Sequence, residues 1–340
     1  ILYAAAECDP FVKTGGLGTV VGSVPKVLCD RGYDVRVILP LYECIDQSWK
    51  DQMEKMMDYP VCINDNVQSA KLYKMNYNGV IHYFIGNDYF MTGDNPYSDF
   101  WQDVEKFSFF ARAVLELPAY MEFEPDIIHC HDWHSSLIPV YLKTFYMDNP
   151  YSRPIRTVMT IHNLKFQGQS DIGHFKDVTG LPDKLLAADG LLDGNCGNML
   201  KGGILFADKI TTVSSTYAKE IMQPEFGERL DEYLRRRRRD VSGIVNGIDT
   251  SVYDPASDEN LFVTYDINDF KTGKRKNKAG LQKLTGLPQD ESVFAAGIIS
   301  RLTDQKGFEL LEGILDGMME LNIQLYILGN GQEDIMQMFY

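Results

Sequence analysis

The sequence contains no apolar run long enough to cross a bilayer, which takes about 20 residues. It opens on a strand-like segment without the charged start and long apolar core of a secretory leader, so a cytoplasmic protein with no membrane partner is expected. Cysteine is sparse. Cys8, Cys29, Cys44, Cys62, Cys130 and Cys196 are scattered without a C-x-x-C pair, which argues against a disulfide framework and fits reduced thiols. Positive charge is also scarce: 33 Lys and Arg against 48 Asp and Glu leave a net charge of -15. Such a chain does not suit nucleic acid or an anionic membrane surface. A small anionic ligand stays open, because its site needs only local positive charge.

Several familiar motifs are missing too. After the first strand-like run (1–6), Gly16 and Gly18 are followed by Gly22, one residue too late for the dinucleotide pattern G-x-G-x-x-G. The second strand-like run (34–39) leads into Pro40-Leu41-Tyr42 with no acid to hold a ribose, which argues against a dehydrogenase. No Gly-Lys-Ser/Thr follows the glycines, so there is no P-loop, and no H-E-x-x-H zinc motif occurs.

What is present is an ordinary globular composition, 44% hydrophobic and 24% charged over 340 residues, enough for two domains. Strand-like and helix-like segments alternate, which predicts an α/β fold with a mainly parallel sheet. The expected strands are 34–39, 68–75, 80–85, 126–130, 156–161 and 209–213. Asn78-Gly79 marks a hairpin between two of them. Helices are expected at 19–30, 50–60, 98–121 (with Phe107 and Phe110 buried), 135–146, 199–206 and 225–239. Ser214 or Ser215 is placed as the cap of a further helix running to Met222. The run Arg235 to Arg239 is expected on a solvated helix face, paired with Glu228, Asp231 and Glu232. Residues 171–197 are expected to be irregular. The chain is divided into an N-terminal Rossmann-like domain (1–241), a linker (242–255) and a partial second Rossmann-like domain (256–340) with a helix at 269–284, strands at 293–300 and 324–328, and a helix at 307–321.

Ligands of an open parallel sheet bind outside the carboxyl ends of its strands. Polar residues gather at those ends: Glu7 to Gly18, then His131, Asp132 and His134, then His162 and Asn163, then Arg301 and Lys306. In Lys13-Thr14-Gly15-Gly16-Leu17-Gly18 a glycine-rich turn meets a helix start beside a lysine, which suits a phosphate or diphosphate. A tight turn that needs glycine for packing alone remains the alternative. His129-Cys130-His131-Asp132-Trp133-His134 has histidines at metal-like spacing. A strand would point His129 and His131 the same way and Cys130 away, however, so no metal is expected. Arg301 and Lys306 straddle a strand-to-helix turn and suit a leaving diphosphate, whose charge must be neutralised.

Six motifs in order then carry a resemblance over nearly the whole chain. They are Lys13 to Gly18; His131-Asp132-Trp133-His134; Thr160-Ile161-His162-Asn163-Leu164 with Phe166-Gln167-Gly168; Ala207-Asp208-Lys209-Ile210-Thr211-Thr212-Val213-Ser214; Val245-Asn246-Gly247-Ile248-Asp249; and Ser300-Arg301-Leu302-Thr303 with Gln305-Lys306-Gly307. Together they resemble bacterial glycogen synthase and plant starch synthase. The resemblance implies a GT-B fold of two Rossmann-like domains, the second incomplete here. It also implies a retaining glucosyltransferase that moves glucose from ADP-glucose to the non-reducing end of an α-1,4-glucan. No metal or cofactor is implied, and no nucleic-acid partner. Lys13 would contact the donor phosphate or the glucan, and Gly15 and Gly16 would line the donor site. His162 would contact the transferred glucose. Asp132 and Asn246 would line the sugar pocket, and Arg301 and Lys306 would hold the diphosphate.

Thr19 stands where the family usually has an active-site Asp. The family's second domain also continues past Tyr340 with an acidic residue and a second glycine-rich loop, so poor turnover is expected of these 340 residues alone. A UDP-glucose-dependent relative of the same fold and a non-catalytic glucan-binding scaffold are the competing readings.

Overall fold

The computed structural model describes residues 1–64, 66–121, 123–150 and 155–339. The chain forms two compact units, Ile1–Gly247 and Ile248–Tyr340.

In the first unit the strands are β1 (Leu2–Ala4), β2 (Arg36–Pro40), β3 (Glu54–Ile63), β4 (Asn66–Tyr77), β5 (Val80–Gly86), β6 (Ile127–His131), β7 (Arg156–Ile161), β8 (Gln169–Asp171), β9 (Leu192–Asp193), β10 (Cys196–Asn198), β11 (Lys209–Thr212) and β12 (Val241–Gly243). Nine of them make one sheet in the order β12-β11-β7-β6-β1-β2-β5-β4-β3, and β8-β10-β9 make a small one. From β12 to β5 the pairing is parallel, and β3 and β4 add antiparallel strands at one edge. Ala4, Val37, Ile38, Ile128, Cys130, Met159 and Ile161 are completely buried. This two-sided burial is what a parallel sheet covered by helices requires. The first strand pairs with β2 on one side and β6 on the other, so the strand order reverses at β1 and opens a crevice at its carboxyl end.

Two helices hold that end in place. Gly16–Asp30 follows the glycine turn. Phe100–Glu116 is started by Asp99, whose side chain accepts from the Gln102 N–H, and it buries Phe107, Phe109 and Phe110. Each of those rings contributes roughly 2 kcal/mol by leaving water. No described helix is long and apolar enough to cross a membrane.

Several expectations need correction. Residues 50–60 are not helical: the helix there is only Gln47–Lys50, and Glu54–Ile63 is an edge strand. Its lysine, glutamate and methionines favour a helix locally, but pairing along β4 and the alternating burial of Tyr59, Val61 and Ile63 prevail. Pro60 is tolerated because the strand lies at the sheet's edge. Residues 171–197 contain a helix, Ile172–Thr179, capped by Asp171 and closed by Gly180 in the left-handed region. The helix expected at 225–239 shrinks to Asp231–Arg236, which contains the expected pairs of Arg235 with Asp231 and Arg236 with Glu232. Arg237 instead donates to the carbonyls of Ile204, Leu205 and Ala207, serving the last turn of the helix Met199–Phe206.

In the second unit the helix Phe270–Leu284 precedes β13 (Phe294–Ile299) and β14 (Ile323–Leu328), which pair in parallel. The single helix expected at 307–321 is broken into Glu309–Glu312 and Leu315–Met319 around Gly313.

The expected hairpin forms, with Tyr77 opposite Val80 and positive φ at Asn78 (50°) and Gly79 (80°). A Cβ on Gly79 would touch nothing, so Gly79→Ala isolates backbone strain. It should lower stability by about 1 kcal/mol, a fall in Tm of roughly 2–4 °C by calorimetry.

Candidate active site

The crevice is built from residues that leave the carboxyl ends of β1, β6 and β7. After β1, Glu7 is buried and accepts four hydrogen bonds: from the Thr14 N–H (2.7 Å) and Oγ1 (2.6 Å), the Gly15 N–H (3.2 Å) and the Tyr97 hydroxyl (2.5 Å). One carboxylate thus folds the glycine turn back onto the strand it came from. A Cβ on Gly18 would sit 3.1 Å from Glu7 Oε2, and one on Gly22 would sit 2.5 Å from the Asp9 carbonyl, so these glycines serve packing. Gly15 and Gly16 differ: a Cβ on either would meet nothing within 4 Å, and Gly15 is simply extended (φ -162°). Neither packing nor a positive φ demands glycine there, so the outer face of the turn is open. Lys13 pairs with Asp9 at 2.8 Å on the exposed side of this turn. Thr19 is half-buried in the following helix.

At the end of β6, Asp132 has φ +54° and is buried. Its Oδ1 accepts from the backbone N–H of His162 (2.7 Å) and of Asn163 (3.3 Å) at the end of β7. Asp tolerates the left-handed region better than most residues, and two donors hold it there. His131 Nδ1 lies 3.0 Å from His162 Nε2. His129 and His131 share a face of β6 and stack at 4.3 Å, as strand alternation requires, and Cys130 is buried on the other side. His134 stacks on Tyr97 at 5.1 Å.

Burial governs the charge states. It pushes Asp132 up to about 7, against the two N–H donors and with some help from Glu7. It lowers His162 to about 4, His129 and His134 to about 3, and His131 well below the usual value. Near neutral pH the four imidazoles are therefore uncharged hydrogen-bonding groups.

The predicted residues fall into two sets. Lys13, Gly15, Gly16, Thr19, Asp132 and His162 lie in the first unit, the first four in the turn and helix after β1 and the other two at the ends of β6 and β7, and Asn246 is exposed in the segment after β12 of that unit. Arg301 and Lys306 lie in the second unit, both exposed. Arg301 follows β13, and Lys306 ends the short turn Asp304–Lys306 that Gly307 closes at φ +72°. Sequence reasoning left Glu7 without a role and missed Tyr97. The second was foreshadowed only by Asp99, which marks a helix start nearby. Other family-like motifs are structural. Gln167 donates to the carbonyls of Leu164 and Glu228 and accepts from Asn198, and Asp208 accepts from the Thr157 N–H and hydroxyl.

A family model of the starch synthase catalytic domain matches residues 1–236. The chain belongs to this family. Glycogen synthase of Lachnospira eligens is 43% identical over 100% of this chain and 71% of its own length. Glycogen synthase of Lachnoclostridium phytofermentans is 42% identical with the same coverage. Among solved structures, the catalytic domain of starch synthase IV from Arabidopsis thaliana, bound to ADP and acarbose, superposes with a TM-score of 0.91 at 32% identity, over 99% of this chain and 70% of that one. This starch synthase-type chain is thus a glycosyltransferase of the glycogen and starch synthase group with a GT-B type fold.

Two measurements test the site's physics. Asp132→Ala leaves two N–H groups unpaired and should destabilise by about 1–3 kcal/mol, while Asp132→Asn, which keeps an acceptor, loses much less; denaturant melts of both variants decide. The second test concerns pH. His82 is also buried and lowered to about 4. Each ring is neutral when folded and titrates near 6.5 when unfolded. Their stabilisation is therefore complete above pH 6.5 and is lost as pH falls toward 4 and 3. Asp132 acts in the opposite sense, losing its contribution as pH rises through about 7, but it is one group against several. Tm should fall by more than about 10 °C between pH 7 and pH 5; a flat profile would contradict neutral histidines.

Proposed function

We propose that this protein transfers glucose from ADP-glucose to the non-reducing 4-hydroxyl of an α-1,4-glucan, with retention at the anomeric carbon and without a metal. The observation that carries the reading is the crevice itself. A glycine turn open to an approaching ligand lies beside Asp132 and His162, whose backbone and rings are fixed by the bonds between β6 and β7. The ADP and acarbose in the Arabidopsis structure support a nucleotide diphosphate sugar as donor and a saccharide as acceptor.

The chemistry follows from the residue types. Lys13, Gly15 and Gly16 receive the donor's phosphates or the glucan, and Asp132, Thr19 and Asn246 line the sugar pocket. His162 is uncharged and contacts the transferred glucose. Departure of the diphosphate builds negative charge on its leaving oxygen. Arg301 and Lys306 are fixed cations suited to that charge, and the metal-independent reading rests on them. The acceptor hydroxyl enters on the face the diphosphate leaves, so no protein nucleophile is needed, and the leaving phosphate oxygen takes the hydroxyl's proton. The scattered free thiols agree with a cytoplasmic setting.

The test is transfer of labelled glucose to glycogen, with ADP-glucose and UDP-glucose compared side by side. Transfer from ADP-glucose should exceed that from UDP-glucose. Lys306→Ala and Arg301→Ala should each lower kcat by about 100-fold or more, the usual loss when a group stabilising transition-state charge is removed. An unchanged kcat in both variants, or a preference for UDP-glucose, would overturn the reading.

A further inference from the structure

Two neutral imidazoles that share one hydrogen bond have a choice of direction, and their surroundings make it. The His131 Nδ1 to His162 Nε2 contact, 3.0 Å long, needs one N–H and one lone pair. If His162 Nε2 carried the proton, His131 would carry its own on Nε2. That nitrogen is fully buried and has no partner among the described residues. Its ring lies against two other rings, with centroids 5.2 Å from Tyr3 and 4.3 Å from His129. A buried N–H with nothing to donate to is rarer in folded proteins than an under-used acceptor. The opposite direction leaves only a lone pair unused in that place. It also leaves the second ring nitrogen of His162 as an N–H on a half-buried residue, with no protein partner among the described residues.

The backbone that carries each ring is held in place. The His131 backbone is clamped by Ser135, whose hydroxyl accepts from the His131 N–H (2.6 Å) and donates to its carbonyl (3.0 Å). The His162 backbone is clamped by Asp132.

We infer that His131 is a positioning residue: its Nδ1–H donates to His162 Nε2 and holds His162 in the Nδ1–H tautomer, so that His162 presents a hydrogen-bond donor, and no lone pair, to the bound sugar. The orientation of the pair is a property of this fold. The consequence for the sugar rests on the glucosyl-transfer reading above. A ring whose remaining lone pair is engaged by His131 cannot accept the proton of the incoming hydroxyl. His162 is therefore excluded as the base and assigned to orienting a sugar oxygen that accepts from it.

The experiment is two-bond 1H–15N correlation on protein labelled with 15N-histidine, with His162 assigned by its loss in His162→Gln. The wild type should show His162 protonated on Nδ1 and bare on Nε2, the minority form of a free histidine side chain, unchanged between pH 6 and pH 8. His131→Asn puts an amide donor close to where Nδ1–H stood and should keep that tautomer, with kcat within a few-fold of wild type. His131→Leu removes the donor. It should release His162 toward the Nε2–H form and lower kcat about 10- to 100-fold with little change in donor KM, by analogy with the loss of a partner that orients a metal-ligating histidine. A wild-type His162 protonated on Nε2 overturns the proposal, as does an equal fall in both variants with the tautomer unchanged. If His131→Leu does not fold, the wild-type and His131→Asn spectra still decide it. Failure of ADP-glucose as donor would leave the spectra to be judged separately.

Discussion

A buried carboxylate that accepts backbone N–H groups is the device on which this molecule's first unit depends, and it is used twice. Glu7 gathers the Thr14 and Gly15 N–H groups, and Asp132 gathers those of His162 and Asn163. Chain leaving the carboxyl end of a parallel strand has donors that no ladder satisfies, and a buried unpaired N–H costs about 1–3 kcal/mol. A carboxylate placed there removes that cost and also sets where the turn lies. The positive φ of Asp132 is the local strain that accompanies this arrangement.

The histidines beside Asp132 are themselves buried, and burial holds them uncharged near neutral pH. Arg301 and Lys306, the side chains proposed above for the diphosphate, lie exposed in the second unit. The buried imidazoles and the exposed Arg301 and Lys306 side chains are thus carried by different parts of the chain. The glycines divide similarly: Gly18 and Gly22 let the turn pack on Glu7 and Asp9, while Gly15 and Gly16 leave its outer face bare.

Read as a string of residues, the chain determined the alternation of strands and helices, because burial on two faces and on one leave different periodicities. Arg156–Ile161 and Met199–Phe206 were legible to the residue, as was the Asn78-Gly79 turn. That Asp132 and His162 follow the carboxyl ends of β6 and β7 was legible too, because each closes a short apolar, β-branched run. What only the tertiary structure decided were choices local chemistry leaves balanced. Glu54–Ile63 is a strand because β4 lies beside it, and 225–239 and 307–321 are shorter helices than their composition suggests. Glu7 and Tyr97 share a hydrogen bond across 90 residues of sequence, which no periodicity encodes. The neutral state of the histidines depends on burial, and the direction inferred for the His131–His162 bond depends on a buried nitrogen with no hydrogen-bond partner among the described residues. Residue types near strand ends come from the sequence; their burial and hydrogen-bond partners are set by the packing around them.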